Sequence, residues 1–171
     1  LKEADRYIQM AYNARDLMSQ PLNVTFENLG DKVNSSMDDF NPYVPDNEKY
    51  LVYASNKKYD PVYGTFVTNI YTTSPEKEGW SYGSMDRKIN SFDNEEPVFL
   101  SRDGKEAFVC NNLEGQFSDI IFTEKRGRDF RMSDDYNDLM KKINSSDLEN
   151  SACFSHDGNT IFFSSNRNGG K

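Results

Sequence analysis

The strongest constraint on how this 171-residue chain can fold is that it repeats itself. Three segments open alike: Val33-Asn34-Ser35-Ser36-Met37-Asp38-Asp39, Ile89-Asn90-Ser91-Phe92-Asp93-Asn94-Glu95-Glu96 and Ile143-Asn144-Ser145-Ser146-Asp147-Leu148-Glu149. Aligned on Asp38, Asp93 and Asp147, they fall 55 and 54 residues apart. Each opening leads to a turn: Pro45-Asp46-Asn47, Arg102-Asp103-Gly104 or His156-Asp157-Gly158. Each turn leads to an apolar run: Tyr50-Leu51-Val52-Tyr53-Ala54, Ala107-Phe108-Val109-Cys110 or Thr160-Ile161-Phe162-Phe163. The first two repeats carry one more run, at Asn69-Ile70-Tyr71-Thr72 and Asp119-Ile120-Ile121-Phe122. A period of this size marks one supersecondary unit that buries itself against its neighbours.

The residue types say which unit. Asp-Gly and Asp-Asn suit tight hairpins, because Gly and Asn tolerate positive φ and the Asp side chain bonds local backbone. Continuous apolar runs suit strands covered on both faces. Asn34, Asn90 and Asn144 stand where an Asx turn would fix the lead-in to a strand. The unit is therefore a small antiparallel sheet of about four strands, and such sheets in series hide their edges by radial packing. The expected fold is all-β: about two and a half to three four-stranded β-propeller blades in a partial ring, with repeats starting near 33, 89 and 143. Residues 1–20 read instead as one helix, with Leu1, Ala4, Ile8, Ala11, Tyr12 and Leu17-Met18 at helical spacing before Pro21. The expected organisation is a helix at 1–20 ending a helical array, a linker at 21–32, and blades at 33–171, with Lys171 falling inside the third repeat.

Composition narrows the chemistry. With 20 Lys+Arg against 28 Asp+Glu, the formal charge is −8, and no basic face is segregated to meet nucleic acid. No run approaches the roughly 18 apolar residues of a membrane helix. One His and two Cys supply neither a zinc site nor a catalytic triad: His156 sits in a tight turn, and Cys110 and Cys153 lie far apart in apolar runs, as small buried hydrophobes do. No nucleophile elbow, phosphate loop or dinucleotide fingerprint occurs. The expectation is no catalytic residue, no cofactor and no metal.

The third repeat, Phe154-Ser155-His156-Asp157-Gly158-Asn159-Thr160-Ile161-Phe162-Phe163-Ser164-Ser165-Asn166-Arg167-Asn168-Gly169-Gly170, resembles the TolB-like propeller repeat, with Asn69-Ile70-Tyr71 and Asp119-Ile120-Ile121 standing where that family has Asp-Ile-Tyr. Asn47 replaces its Gly, Ser151 and Asn168 replace its Pro, and Asn111-Asn112 lacks the following Arg. The order of parts, Leu17-Met18-Ser19-Gln20-Pro21 and then Val24 to Gly30 before the first repeat, resembles the tetratricopeptide–propeller junction of OmpA-family envelope lipoproteins of Bacteroidota, some associated with type IX secretion. That resemblance implies a non-catalytic interaction scaffold in the periplasm, associated with the outer membrane. Its partners would be envelope proteins, with peptidoglycan reached through a domain outside this chain. The alternative is the gating propeller of a prolyl-oligopeptidase-type serine peptidase whose catalytic domain lies elsewhere.

The candidate site is an acidic ring at the mouth of the propeller channel, built from Asp38, Asp39, Asp93, Glu95 (with Glu96), Asp147 and Glu149, to meet a cation or a basic peptide. The competing reading is that these carboxylates cap turns. Trp80 reads as inter-blade packing, Ser155 to Thr160 as hairpin chemistry, and Glu124-Lys125-Arg126-Gly127-Arg128 as a loop. The sequons at Asn23, Asn34 and Asn144 matter only in a eukaryotic secretory route.

Overall fold

A computed structural model describes residues 2–62, 64–91, 93–113 and 117–169. Helix α1 (Lys2–Met18) has acidic residues in its first turn and Arg15 in its last, which suits the helix dipole. It buries none of its residues, and its Ile8, Leu17 and Met18 are exposed.

The rest is mostly β, with ten strands among the described residues forming three antiparallel sheets. The first sheet has the order β1 (Asp39–Tyr43), β2 (Leu51–Asp60), β3 (Thr65–Thr73), β4 (Ser84–Met85). The second repeats that order with β5 (Asn94–Leu100), β6 (Glu106–Leu113), β7 (Phe117–Arg126) and β8 (Asp129–Met132). The third is the hairpin β9 (Glu149–Phe154) and β10 (Ile161–Ser165). Helix α2 (Asn137–Ile143) precedes it. The sequence reading missed this helix: Leu139, Met140 and Ile143 share its apolar face against β7, and Lys141 and Lys142 lie at its dipole's negative end.

The side-chain period of two explains the continuous apolar runs. On β6, Ala107 and Val109 join Tyr50, Val52 and Ile70 of the first sheet, together with Ile89 and Phe130, in one core. Phe108 and Cys110 point the other way and pack with Ile120, Phe122, Met140, Ile143 and Ala152. A strand with apolar residues on both faces is what a sheet sandwiched between two others requires. The outer face of the first sheet carries a third core of Val33, Leu51, Tyr53 and Tyr71, against which Trp80 and Met85 pack.

The opening strands stack: β1 lies against β5, and β5 against β9, while no comparable contact joins β4 to β8 among the described residues. Asn41 Nδ2 donates to Glu96 Oε2 at 2.8 Å across the first of these junctions.

Candidate functional site

Strand register fixes which acidic residues are equivalent. Asp39 pairs with Ser55, Glu95 with Asn111 and Glu149 with Ser165, so these three carboxylates occupy one repeat position. Alignment on Asp38, Asp93 and Asp147 therefore slips by one residue in the first repeat, and the position of Asp93 and Asp147 is held there by Met37.

Around that position the chain builds the same turn three times. The hydroxyls of Ser35, Ser91 and Ser145 accept from the N–H groups of Met37, Asp93 and Asp147, each at 3.1 Å. The carboxylate four residues on closes the turn. Ser35 N–H donates to Asp39 Oδ2 at 2.5 Å, the Ser91 hydroxyl donates to Glu95 Oε1, and Ser145 donates to Glu149 through its N–H at 2.8 Å and its hydroxyl at 2.9 Å. The asparagines do something other than the Asx turns expected of them. Asn90 accepts from Ile70 N–H at 2.7 Å and donates to Ile70 O at 2.9 Å. Asn144 holds Ile120 in the same way, at 2.9 Å in both directions. A side-chain amide here substitutes for a missing strand and clasps the third strand of one sheet to the lead-in of the next.

The turned-in carboxylates differ in what answers their charge. Glu149 is fully buried, and Arg167 meets its Oε1 at 2.9 Å. Burial pushes the pKa of Glu149 up, but hydrogen bonds from Ser165 and Ser145 and the Arg167 guanidinium outweigh it, leaving it below the usual value. Glu95 is equally buried, but Leu113 stands at the repeat position of Arg167. Its Oε1 takes hydrogen bonds from Ser91 and Asn111, whereas its Oε2 has no partner among the described residues. Burial drives its pKa up to about 7 against the opposing Ser91 hydrogen bonds. In the first sheet the Arg167 position is Lys57, whose ammonium lies 4.0 Å from the Tyr71 ring centroid.

The predicted acidic ring is thus divided. Asp39, Glu95 and Glu149 are absorbed within their own sheets, and Glu96 accepts from Asn41. Asp38 and Asp147 are exposed on the lead-in turns, and Asp93 is half-buried on its own lead-in turn, where its N–H donates to the Ser91 hydroxyl. Among the described residues no group of three or more His, Cys, Asp or Glu side chains is disposed to hold a metal ion.

The other sequence candidates resolve individually. His156 is an exposed turn residue in a loop organised by Asp157, which accepts from the Ser155 hydroxyl at 2.6 Å and from Asn159; these bonds bring the Asp157 pKa down to about 2. Both cysteines are free, and Cys110 is buried. Cys153 is exposed, contrary to expectation, because its neighbour Ala152 takes the inward face of β9. The basic run is not a loop throughout: Glu124 to Arg126 end β7, and the turn at Gly127 leads into β8. Lys125 lies 4.0 Å from the Tyr50 ring centroid and 4.6 Å from that of Phe130, turned into the fold.

The two inter-sheet clefts differ at one position. Tyr50 and Glu106 are equivalent, since the pairings of Asp39 with Ser55 and of Glu95 with Asn111 align Leu51 with Ala107, and Gly104 and Gly158 are equivalent in the turns that follow. Between the first and second sheets the Tyr50 hydroxyl donates to the Gly104 carbonyl, and Arg102 Nε meets Asp46 Oδ2 at 2.9 Å. Between the second and third, Glu106 replaces Tyr50 and the gap stays open as a cleft of about 550 Å³ lined by Phe99, Glu106, Tyr136, Phe154, His156 and Gly158, among others. Sequence reading missed Glu106, although the apolar runs, once aligned, put a carboxylate where the first repeat has a tyrosine. Comparison with protein-family models, with curated proteins and with solved structures returned no match for this chain.

Proposed function

We propose that the three sheets are successive blades of a β-propeller and that the chain is a non-catalytic protein-interaction scaffold of the bacterial cell envelope. The observation that carries this reading is the asparagine clasp. The same side chain joins sheet to sheet at Asn90 and at Asn144, so successive units meet by one repeated operation. Stacking of β1 on β5 on β9, with no comparable approach of β4 to β8, supports a radial spread from an inner edge. The scaffold role is supported by how the polar side chains of the repeat are spent: they close turns and join sheets. The envelope setting, in an outer-membrane and peptidoglycan-associated assembly such as type IX secretion, rests on the resemblance of the Phe154 to Gly170 repeat and of the helix–linker order.

Co-purification of the affinity-tagged protein from detergent-solubilised envelope fractions tests the proposal. Recovery with outer-membrane or peptidoglycan-bound proteins is expected. Recovery with neither, or a hydrolase or lyase turnover that requires a residue of these sheets, would overturn it.

A further inference from the structure

We propose that the open cleft between the second and third sheets binds an arginine side chain presented by a protein partner; this deepens the scaffold reading and rests on it. The two inter-sheet junctions differ where they should be alike. At the Gly104 turn the fold closes its first inter-sheet cleft with the Tyr50 to Gly104 hydrogen bond and the Arg102–Asp46 ion pair, while elsewhere between these sheets a space of about 440 Å³ lined by Tyr50, Asp86, Lys125 and Asp129 stays open. A Cβ placed on Gly104 would meet Tyr50 Oη at 2.5 Å and Pro45 Cβ at 2.9 Å, so the cleft is filled at this turn. A Cβ on the equivalent Gly158 meets nothing within 4 Å. Neither closing device recurs: Glu106 stands at the tyrosine position, and the ion-pair position is held by Arg102, already committed to Asp46, and His156.

What remains open has a definite chemistry. Phe99, Tyr136 and Phe154 line it as the margin of an aromatic cluster whose Phe108 and Phe122 are buried, with Tyr136 and Phe122 ring centroids 4.0 Å apart. The two carboxylates in the lining differ. Asp103 is engaged by Ser101 and Lys105, whereas the half-buried Glu106 carboxylate takes no hydrogen bond or ion pair from a described residue. Burial raises the Glu106 pKa most, Asp103 and Glu124 raise it further and Lys105 lowers it, so the neighbouring carboxylates outweigh the one ammonium beside it and an incoming cation is favoured over an anion. An aromatic wall beside an uncommitted carboxylate fits a planar guanidinium, which stacks on rings and forks onto carboxylates.

The test is an NMR titration of the 171-residue chain with N-acetyl-L-argininamide and with its neutral isostere N-acetyl-L-citrullinamide. The expected result is saturable shifts of the Phe99, Tyr136 and Phe154 ring protons and the Gly158 amide with the arginine probe, at least about fivefold weaker with citrulline. Glu106→Gln should weaken arginine binding by a similar factor. Glu106→Tyr, which rebuilds the first cleft's closure, should abolish it while leaving the other amide shifts native. Equal shifts from both probes, no saturation at millimolar concentration, or unchanged affinity in Glu106→Gln would overturn the proposal. If envelope partners still co-purify with Glu106→Tyr, the scaffold reading stands and the cleft is excluded as its docking site.

Discussion

Glu95 and Glu149 occupy one repeat position, are both fully buried, and should respond to pH in opposite directions. For Glu95 the folded pKa is about 7 against an ordinary value of 4.5. Between those limits the folded chain keeps a proton that the unfolded chain has released, so stability falls as pH rises through the window. At 1.36 kcal/mol per pKa unit the loss is about 3 kcal/mol, complete above the folded pKa. Glu149 has a lowered pKa, so its contribution is present above the ordinary value and is lost as pH falls through the folded one. The assay is urea unfolding of the parent, Glu95→Gln and Glu149→Gln at about pH 3, 5, 6.5 and 8. Glu95→Gln should be the more stable protein at pH 8, by up to about 3 kcal/mol, with a flattened pH profile. Glu149→Gln should lose about 2 kcal/mol at pH 8, because it strands the Arg167 guanidinium, and should converge on the parent in acid. A Glu95→Gln variant that keeps the parent's slope between pH 5 and 7, or is weaker at pH 8, would show that burial does not hold a proton on Glu95.

Further outcomes follow from the same geometry. Gly104 and Gly158 have φ near +73° and +71°, so alanine at either costs about 1 kcal/mol in backbone strain. Gly104→Ala must also displace Tyr50 and Pro45, and should cost about 3 kcal/mol in a thermal melt, against about 1 for Gly158→Ala. Asn144→Ala unpairs both main-chain groups of Ile120 and should cost about 2 to 3 kcal/mol by urea unfolding, whereas Asn159→Ala in an exposed turn should cost under about 1. Cys153 should react with a thiol-specific reagent in the native protein at pH 8. Cys110, buried and with its pKa pushed up to about 12, should react only on unfolding, as mass spectrometry of the labelled chain would read.

The sheets were legible because turn chemistry and apolar runs are local signals. Asp-Gly and Pro-Asp-Asn marked the hairpins, and the runs at Leu51, Ala107 and Ile161 became β2, β6 and β10. Helix α2 was not legible, since seven residues between polar clusters give too short a pattern to show a 3.6-residue period. The acidic residues were legible as repeats but not as structure. Whether a carboxylate faces a channel or its own sheet depends on strand register, and a shift of one residue reverses the face. Asn90 and Asn144 were seen at the right positions and given a local role, because their partners Ile70 and Ile120 lie 20 and 24 residues away. The cleft at Glu106 exists only as a difference between two interfaces, which no single motif announces.

The proposed contact with a protein partner is made where the repeat leaves a cleft open, beside Glu106. Site-specific photo-cross-linking in cells tests it most directly, with a photoreactive residue placed at His156, on the open cleft, or at Asn47, beside the closed one. A discrete protein adduct from His156 that Glu106→Tyr removes, and none from Asn47, is expected. Adducts of equal yield from both positions, or from neither, would contradict it.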